Sequence, residues 1–378
     1  MFDFEYHNPV RVVFGRGSIA KLAGLVPDDG PVLLTYGGGS IKANGVLDQV
    51  TAALKGRPVL EFGGIEPNPR YETLMKAVDL ARREKAAFLL AVGGGSVLDG
   101  TKFIAAAIPF QDGDPWRIVA EGAPVKAAAP LGAVLTLPAT GSEMNGYAVI
   151  SHAASGQKLP FGSPLVYPRF SVLDPATSFS LPARQVANGI VDSYVHVLEQ
   201  YLTYPAAAPL QDRQAEAVLL TLIEEGPRTL ADPDDYDSRA TLFWCATQAL
   251  NGLIACGVPQ DWSTHYIGHE LTALHGIDHA QSLAVVLPGL LRVRMEAKRD
   301  KLRQYGERIF GTPDPETAIA RTEAFFRSLG VGTTLAEYGI PPEAADRVAE
   351  RLEARRAQLG EKGDMTYDQV RAALRQRA

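Results

Sequence analysis

The chain holds seven histidines, and four of them, His265, His269, His275 and His279, fall inside the single stretch DWSTHYIGHELTALHGIDHAQ. Such a concentration of imidazoles points to metal binding or proton transfer. A second group lies upstream in NGIVDSYVHVLEQY, where Asp192 and His196 are four residues apart and share one face of a helix. His265 and His269 repeat that spacing. One carboxylate with several imidazoles is a borderline donor set, suited to Zn²⁺ or Fe²⁺. Spacing alone leaves open which histidines are ligands. Taken together, Asp192, His196, His265 and His279 make the strongest set, whereas His275 beside Gly276 suits a structural place at a helix end. In HELTALH the two histidines are six apart, so they cannot share a face as the pair in HExxH does.

Three glycine-bearing turns carry a different chemistry. VLLTY runs into Gly37, Gly38, Gly39 and Ser40, and FLLAV runs into Gly93, Gly94, Gly95 and Ser96, followed by Asp99. A third turn, Pro138-Ala139-Thr140-Gly141-Ser142-Glu143, also follows an apolar run. Glycine lets backbone approach a phosphate, and the first N–H groups of a following helix point at it. Neither GGGS loop sits in a GxGxxG frame, and no GxxxxGK[ST] is present, so a P-loop is excluded. Repeated at one sheet edge, these turns suit a dinucleotide. NAD sites usually place a carboxylate where it bonds the ribose 2′-OH and would repel a 2′-phosphate. After VLLTY no acidic residue occurs until Asp48, and Gly37–Ser40 offers N–H groups and a hydroxyl instead, which favours NADP(H).

These residues need a frame to hold them. PVLLTY (31–36), PVLEFGG (58–64), AAFLLAV (86–92), AVLTLPAT (133–140) and FSVLD (170–174) are short apolar runs stopped by turn residues, and helical stretches such as YETLMKAVDLARREK (71–85) separate them. That alternation implies a mostly parallel sheet covered on both faces. Beyond Ser180 and Pro182 almost only helical periodicity remains. The expectation is an α/β domain with a Rossmann-like parallel sheet over 1–178, the dinucleotide-binding part, and an all-helical, metal-binding domain over 179–378.

The 378 residues are 46% hydrophobic and 21% charged, with a net charge of −6. This composition suits a globular protein with real cores and argues against a nucleic-acid partner. No apolar run is long enough to span a bilayer, and no basic segment followed by an apolar one opens the chain, so a cytoplasmic protein without a membrane partner is expected. Two cysteines exclude a disulfide scaffold.

VRVVFGRGSIAKL, AVGGGSVLDGTKFIA, TLPATGSEMN, the DSYVH segment and THYIGHELTALHGIDHAQSLAVVLP together resemble the iron-containing (group III) alcohol dehydrogenases over essentially the whole chain. TYGGGS, LEFGGIEPNP and TQALNGLI further resemble their NADPH-dependent aldehyde reductase and butanol dehydrogenase subgroup. The resemblance implies the dehydroquinate synthase-like fold. It assigns the metal to Asp192, His196, His265 and His279, and it places His269 near the nicotinamide as a non-ligand. It lays the adenosine end on Gly37–Ser40 and the pyrophosphate on Gly94, Gly95, Ser96 and Asp99. Thr136, Thr140 and Ser142 match contacts toward the ribose and nicotinamide, and Lys158 matches a cofactor-contacting lysine. Asn145 departs from the pattern, standing where many members carry Thr. The N-terminal FEYHNPVRVVFG is similar to a strand that pairs across a homodimer in the family.

The expected activity is interconversion of small aldehydes and primary alcohols with NADP(H) and one divalent ion, Zn²⁺ or Fe²⁺, with His269 as a proton relay. A glycerol dehydrogenase-like or dehydroquinate synthase-like enzyme would share the fold; the latter needs a basic pocket, and no Lys/Arg cluster occurs around 140–200. A metallohydrolase would not need the glycine turns, and a non-catalytic NADP sensor would not need the metal set.

Overall fold

The computed structural model describes residues 1–378. Eight strands are present: β1 Arg11–Phe14, β2 Val32–Thr35, β3 Val59–Phe62, β4 Phe88–Gly93, β5 Leu131–Leu135, β6 Tyr147–His152, β7 Gln157–Gly162 and β8 Phe170–Leu173. The helices are α1 Ser40–Ala43, α2 Val46–Ala53, α3 Tyr71–Arg83, α4 Gly95–Ala107, α5 Trp116–Ala120, α6 Ala183–Tyr201, α7 Pro209–Ala231, α8 Tyr236–Ala249, α9 Ser263–His275, α10 His279–Val293, α11 Met295–Tyr305, α12 Pro315–Ser328, α13 Ala344–Ala354 and α14 Tyr367–Arg375.

Two compact units form, and they interleave in sequence. The α/β unit takes His7–Leu181 with Asp234–Phe243, and the helical unit takes Met1–Tyr6, Pro182–Pro233 and Trp244–Ala378. In the α/β unit six strands run parallel in the order β1-β8-β5-β4-β2-β3. Side chains alternate along each strand. Leu33, Leu89, Ala91 and Leu135 face one core with Leu74, Leu98 and Phe103, whereas Val32, Leu34, Leu90 and Val92 face the other with Leu22, Ile41 and Val50. Both faces are therefore dry, which is why β2 and β4 read as continuous apolar runs. Each fully buried leucine there contributes about 1.5–3 kcal/mol relative to exposure.

The five expected strands form. Residues 11–14 also form a strand, but β1 pairs with β8 of the same chain, Arg11 opposite Phe170, and residues 1–10 take no strand. Strands β6 and β7 make a separate antiparallel hairpin, with Ser151 opposite Lys158. The helical unit contains no strand.

Candidate metal centre and cofactor loops

The metal-type residues converge on one carboxylate. Nearly the whole second half of α6 is buried, so the four-residue spacing of Asp192 and His196 places both in the interior of the helical unit. Helix α9 brings His265 and His269, and α10 begins at His279. The two helices close tightly at Gly268, where a Cβ would lie 2.8 Å from Ser282 Oγ and 3.0 Å from Leu283 Cδ2. A side chain at 268 would force Ser282 and Leu283 to shift. It seats the first turn of α10 against the middle of α9, and the His265 and His279 rings come within 5.2 Å.

Asp192 Oδ1 lies 3.8 Å from His196 Nε2, 3.8 Å from His265 Nε2 and 3.6 Å from His279 Nε2. These gaps are too long for hydrogen bonds. Asp192 Oδ1 and His265 Nε2 are buried with no hydrogen-bond partner. Orphaned buried polar atoms are costly unless something satisfies them. Metal–ligand bonds of about 2.0–2.2 Å at a tetrahedral angle separate ligand atoms by roughly 3.3–3.6 Å, close to the spacing seen here. The ligand atoms of Asp192, His265 and His279 all lie within 4.8 Å of one another. Donor type, spacing and the orphaned atoms fit one divalent cation.

The electrostatics agree. Burial raises the Asp192 carboxyl pKa, but His196, His279 and His265 outweigh it and hold the group below the ordinary carboxylate range. Burial pushes His196 down to about 4 against the pull of Asp192. Burial also lowers His265, yet Glu199 and Asp192 together lift it to about 9. An anion among imidazoles is thus built in, and a cation can displace the protons they share.

His269 is buried one turn beyond His265, its ring centroid 5.2 Å from that of His279 and 6.2 Å from that of His265. His275 stands apart in the last turn of α9, half-buried, where burial and then Arg347 lower its pKa. Trp262 packs edge-to-face with His196 and His265, ring centroids 6.2 and 5.5 Å apart. Glu199, which sequence spacing did not single out, contacts His265 Nδ1 through Oε2 and accepts the His265 main-chain N–H through Oε1 at 3.2 Å. Its signal was available: it follows Asp192 by seven residues and His196 by three, on the same helix face.

The glycine turns gather in the α/β unit at the C-terminal ends of its strands. Pairing of β2 with β4 sets the two GGGS loops side by side, and a Cβ on Gly37 would lie 3.6 Å from Val97 Cγ2 in the first turn of α4. Gly38 is exposed, and a Cβ there would meet nothing within 4 Å; Gly39 is half-buried and Ser40 is exposed. Helix α4 starts at Gly94 and Gly95 with no side-chain cap, which leaves its first amides open to an anion. A Cβ on Gly95 would lie 2.5 Å from Thr140 Cγ2, so this turn is pressed against the third one. Thr136 donates its N–H to Gly93 O at 3.0 Å, and Ser96 Oγ accepts from the Asn68 N–H at 3.2 Å. This cradle of bare backbone at a helix start fits a pyrophosphate.

Asp99 and Ser142 meet, but toward each other. Ser142 Oγ donates to Asp99 Oδ1 at 2.7 Å, and the Val149 N–H donates to Asp99 Oδ2 at 2.9 Å. Lys102, a further residue that spacing did not single out, is buried on α4 and donates to Ser142 Oγ, Asn145 Oδ1 and Tyr147 O at 2.8, 3.0 and 2.7 Å. It follows Asp99 by three residues, which puts both on one face. Burial raises the Asp99 pKa and lowers that of Lys102 to about 8, against the mutual attraction of the two charges. Asn145 also donates to Gly141 O at 2.9 Å, so it shapes the third turn. Lys158 is buried on β7, and its charge favours the ionised form of Asp99.

Comparison with known proteins agrees with the two-part architecture. Residues 9–175 match the iron-containing alcohol dehydrogenase family, and residues 186–378 match the C-terminal part of the Fe-containing alcohol dehydrogenase family. The chain is 56% identical over 377 residues to the NADPH-dependent aldehyde reductase YqhD of Escherichia coli (strain K12), covering 97% of each chain. It is 43% identical to NADP-dependent alcohol dehydrogenase 3 of Entamoeba histolytica, again covering 97% of each. The crystal structure of E. coli K-12 YqhD superimposes with a TM-score of 0.98 at 55% identity, covering 100% of this chain and 99% of that one. The chain belongs to the iron-containing alcohol dehydrogenase family.

Proposed function

We propose that this chain is an NADPH-dependent aldehyde reductase, a metal-dependent alcohol dehydrogenase working mainly toward the alcohol. The carrying observation is Asp192 Oδ1, buried and without a hydrogen bond, with three imidazole Nε2 atoms 3.6–3.8 Å away. The likeness to YqhD and to the Entamoeba enzyme supports the choice of substrate and of NADP(H).

In this reading the α/β unit binds the dinucleotide and the helical unit binds the metal. Asp192, His196, His265 and His279 hold one divalent ion, Fe²⁺ or Zn²⁺. When bound, that ion supplies Lewis-acid polarisation of the substrate oxygen, and the nicotinamide supplies the hydride. The reaction adds one hydride to the carbonyl carbon and one proton to its oxygen, giving the primary alcohol and NADP⁺. His269 hands on the proton. Trp262 shields the imidazoles from water on one side. Gly37–Ser40 receive the 2′-phosphate end, and Gly94, Gly95 and Ser96 receive the pyrophosphate on the first amides of α4. Thr136, Thr140 and Lys158 line the path toward the ribose and nicotinamide. Asp99 and Ser142 act together with Lys102 in fixing the third turn.

The free, buried thiols of Cys245 and Cys256 suit a reducing compartment, and we place the enzyme in the cytoplasm. No helix is long and apolar enough to cross a membrane. We also propose a homodimer joined along the outer edge of β1, which has β8 on one side only. Purified protein assayed for butanal-dependent oxidation of NADPH tests the activity: turnover supports the reading, and none across a series of small aldehydes rejects it.

A further inference from the structure

Glu199 is the carboxylate nearest the metal-type histidines that is not itself aimed at their common centre. It is 4% exposed and engages one residue twice: Oε2 meets His265 Nδ1, and Oε1 accepts the His265 main-chain N–H at 3.2 Å. Its own carbonyl accepts the Asp261 N–H at 2.8 Å. Asp261 is fastened in turn, with Oδ2 2.9 Å from Lys298 Nζ, and Lys298 also donates to Leu202 O at 2.7 Å and to Glu361 Oε2 at 2.9 Å. Glu199 is therefore held from behind by a buried chain of bonds that reaches α11. The other nitrogen of the same ring, His265 Nε2, faces Asp192 Oδ1 at 3.8 Å with no hydrogen-bond partner.

An imidazole has one proton to place when neutral. A carboxylate on Nδ1 draws that proton there and leaves the Nε2 lone pair for a cation. The second contact, to the main chain, ties the carboxylate to the backbone that carries the ring. A mere ion pair would not require both. We infer that Glu199 is a positioning residue for the metal, fixing the tautomer and ring orientation of His265 so that Nε2 is the ligand atom. This inference rests on the proposed metal centre. The Glu199 carboxylate bonds to His265 and acts through that ring.

Co²⁺ serves as the probe because its visible bands report ligand geometry. The full-length wild type, E199Q and E199L are stripped of metal and titrated with Co²⁺ against a competing chelator. The spectrum of each and the thermal midpoint of each metal-free protein are recorded. The expected result is Co²⁺ affinity weakened about 10- to 100-fold in E199L, with displaced bands. E199Q, whose amide oxygen can still accept from Nδ1, recovers part of both. Should E199L fail to fold, E199Q carries the test, with its weakened affinity and altered bands as the expected outcome. Wild-type affinity and bands in E199Q and E199L, whatever the thermal midpoints, would overturn the inference while leaving the metal centre standing. Failure of the wild type to take up Co²⁺ would remove the metal centre, and this inference with it.

Discussion

Asn188 Nδ2 donates to Asp278 Oδ2 at 2.9 Å, and this bond joins the helix that carries Asp192 and His196 to the residue immediately before His279. Arg184, one turn earlier on α6, reaches the same carboxylate oxygen. The proposed fourth ligand is thus fastened to the helix of the first two without using any of the proposed ligand atoms. Removing this acceptor in D278A costs about 1–2 kcal/mol of stability and loosens His279. The expected result is faster metal loss on dialysis against a chelator, with the fold retained by circular dichroism. Unchanged metal content would show that α10 is placed by packing at Gly268 alone.

His265 and His269 lie on the same helix and are proposed for different roles. H265A is expected to lose most of the bound metal and its activity together. H269A is expected to keep close to one metal per chain while turnover falls about 10²-fold or more, as for loss of a proton-transfer group. Metal analysis beside single-turnover kinetics separates the two. Equal metal loss in both variants would remove the relay role of His269.

Cofactor choice is expected to turn on Gly38. A side chain there enters open space, so G38D folds as the parent does. Its carboxylate would stand where the 2′-phosphate is proposed to lie. NADPH binding should weaken at least about tenfold, about 1.4 kcal/mol, while NADH binding holds or improves. Unaltered KM values for both cofactors would move the 2′-phosphate away from this loop.

Lys102 gives a pH signature. Burial holds its folded pKa at about 8, against 10.5 for an ordinary lysine. Between those values the unfolded chain keeps a proton that the folded chain has released, so stability rises with pH. The burden of the buried charge is fully present below pH 8 and is relieved as pH climbs toward 10.5, by about 3 kcal/mol. In K102M this rise disappears, although the loss of three hydrogen bonds makes that variant less stable throughout. Urea midpoints of both proteins at several pH values across the window check the prediction; parallel curves would contradict it.

Much of this was legible in the sequence for physical reasons. Strands buried on both faces need unbroken apolar runs, and VLLTY and AAFLLAV supply them. Helical spacing made Asp192 with His196 and His265 with His269 into facing pairs. Spacing could not bring His279 to His265, because that depends on the close approach at Gly268, a long-range contact. The β6–β7 hairpin went unread. It stands outside the six-stranded sheet, with Tyr147 exposed and a proline at position 160, so its pattern is weak. Spacing puts Glu199 on the face of Asp192 and His196, and Lys102 on the face of Asp99, but their burial and their contacts to His265 and Ser142 are set by long-range packing.

The most direct measurement is the nicotinamide absorbance of NADPH with butanal, using protein stripped of metal and then reloaded with Fe²⁺ or Zn²⁺, with NADH run in parallel. The account predicts oxidation of NADPH that disappears on stripping, returns on reloading and is much slower with NADH. Undiminished oxidation by stripped D192A would contradict it, since the Asp192 cluster would then have no part in the reaction.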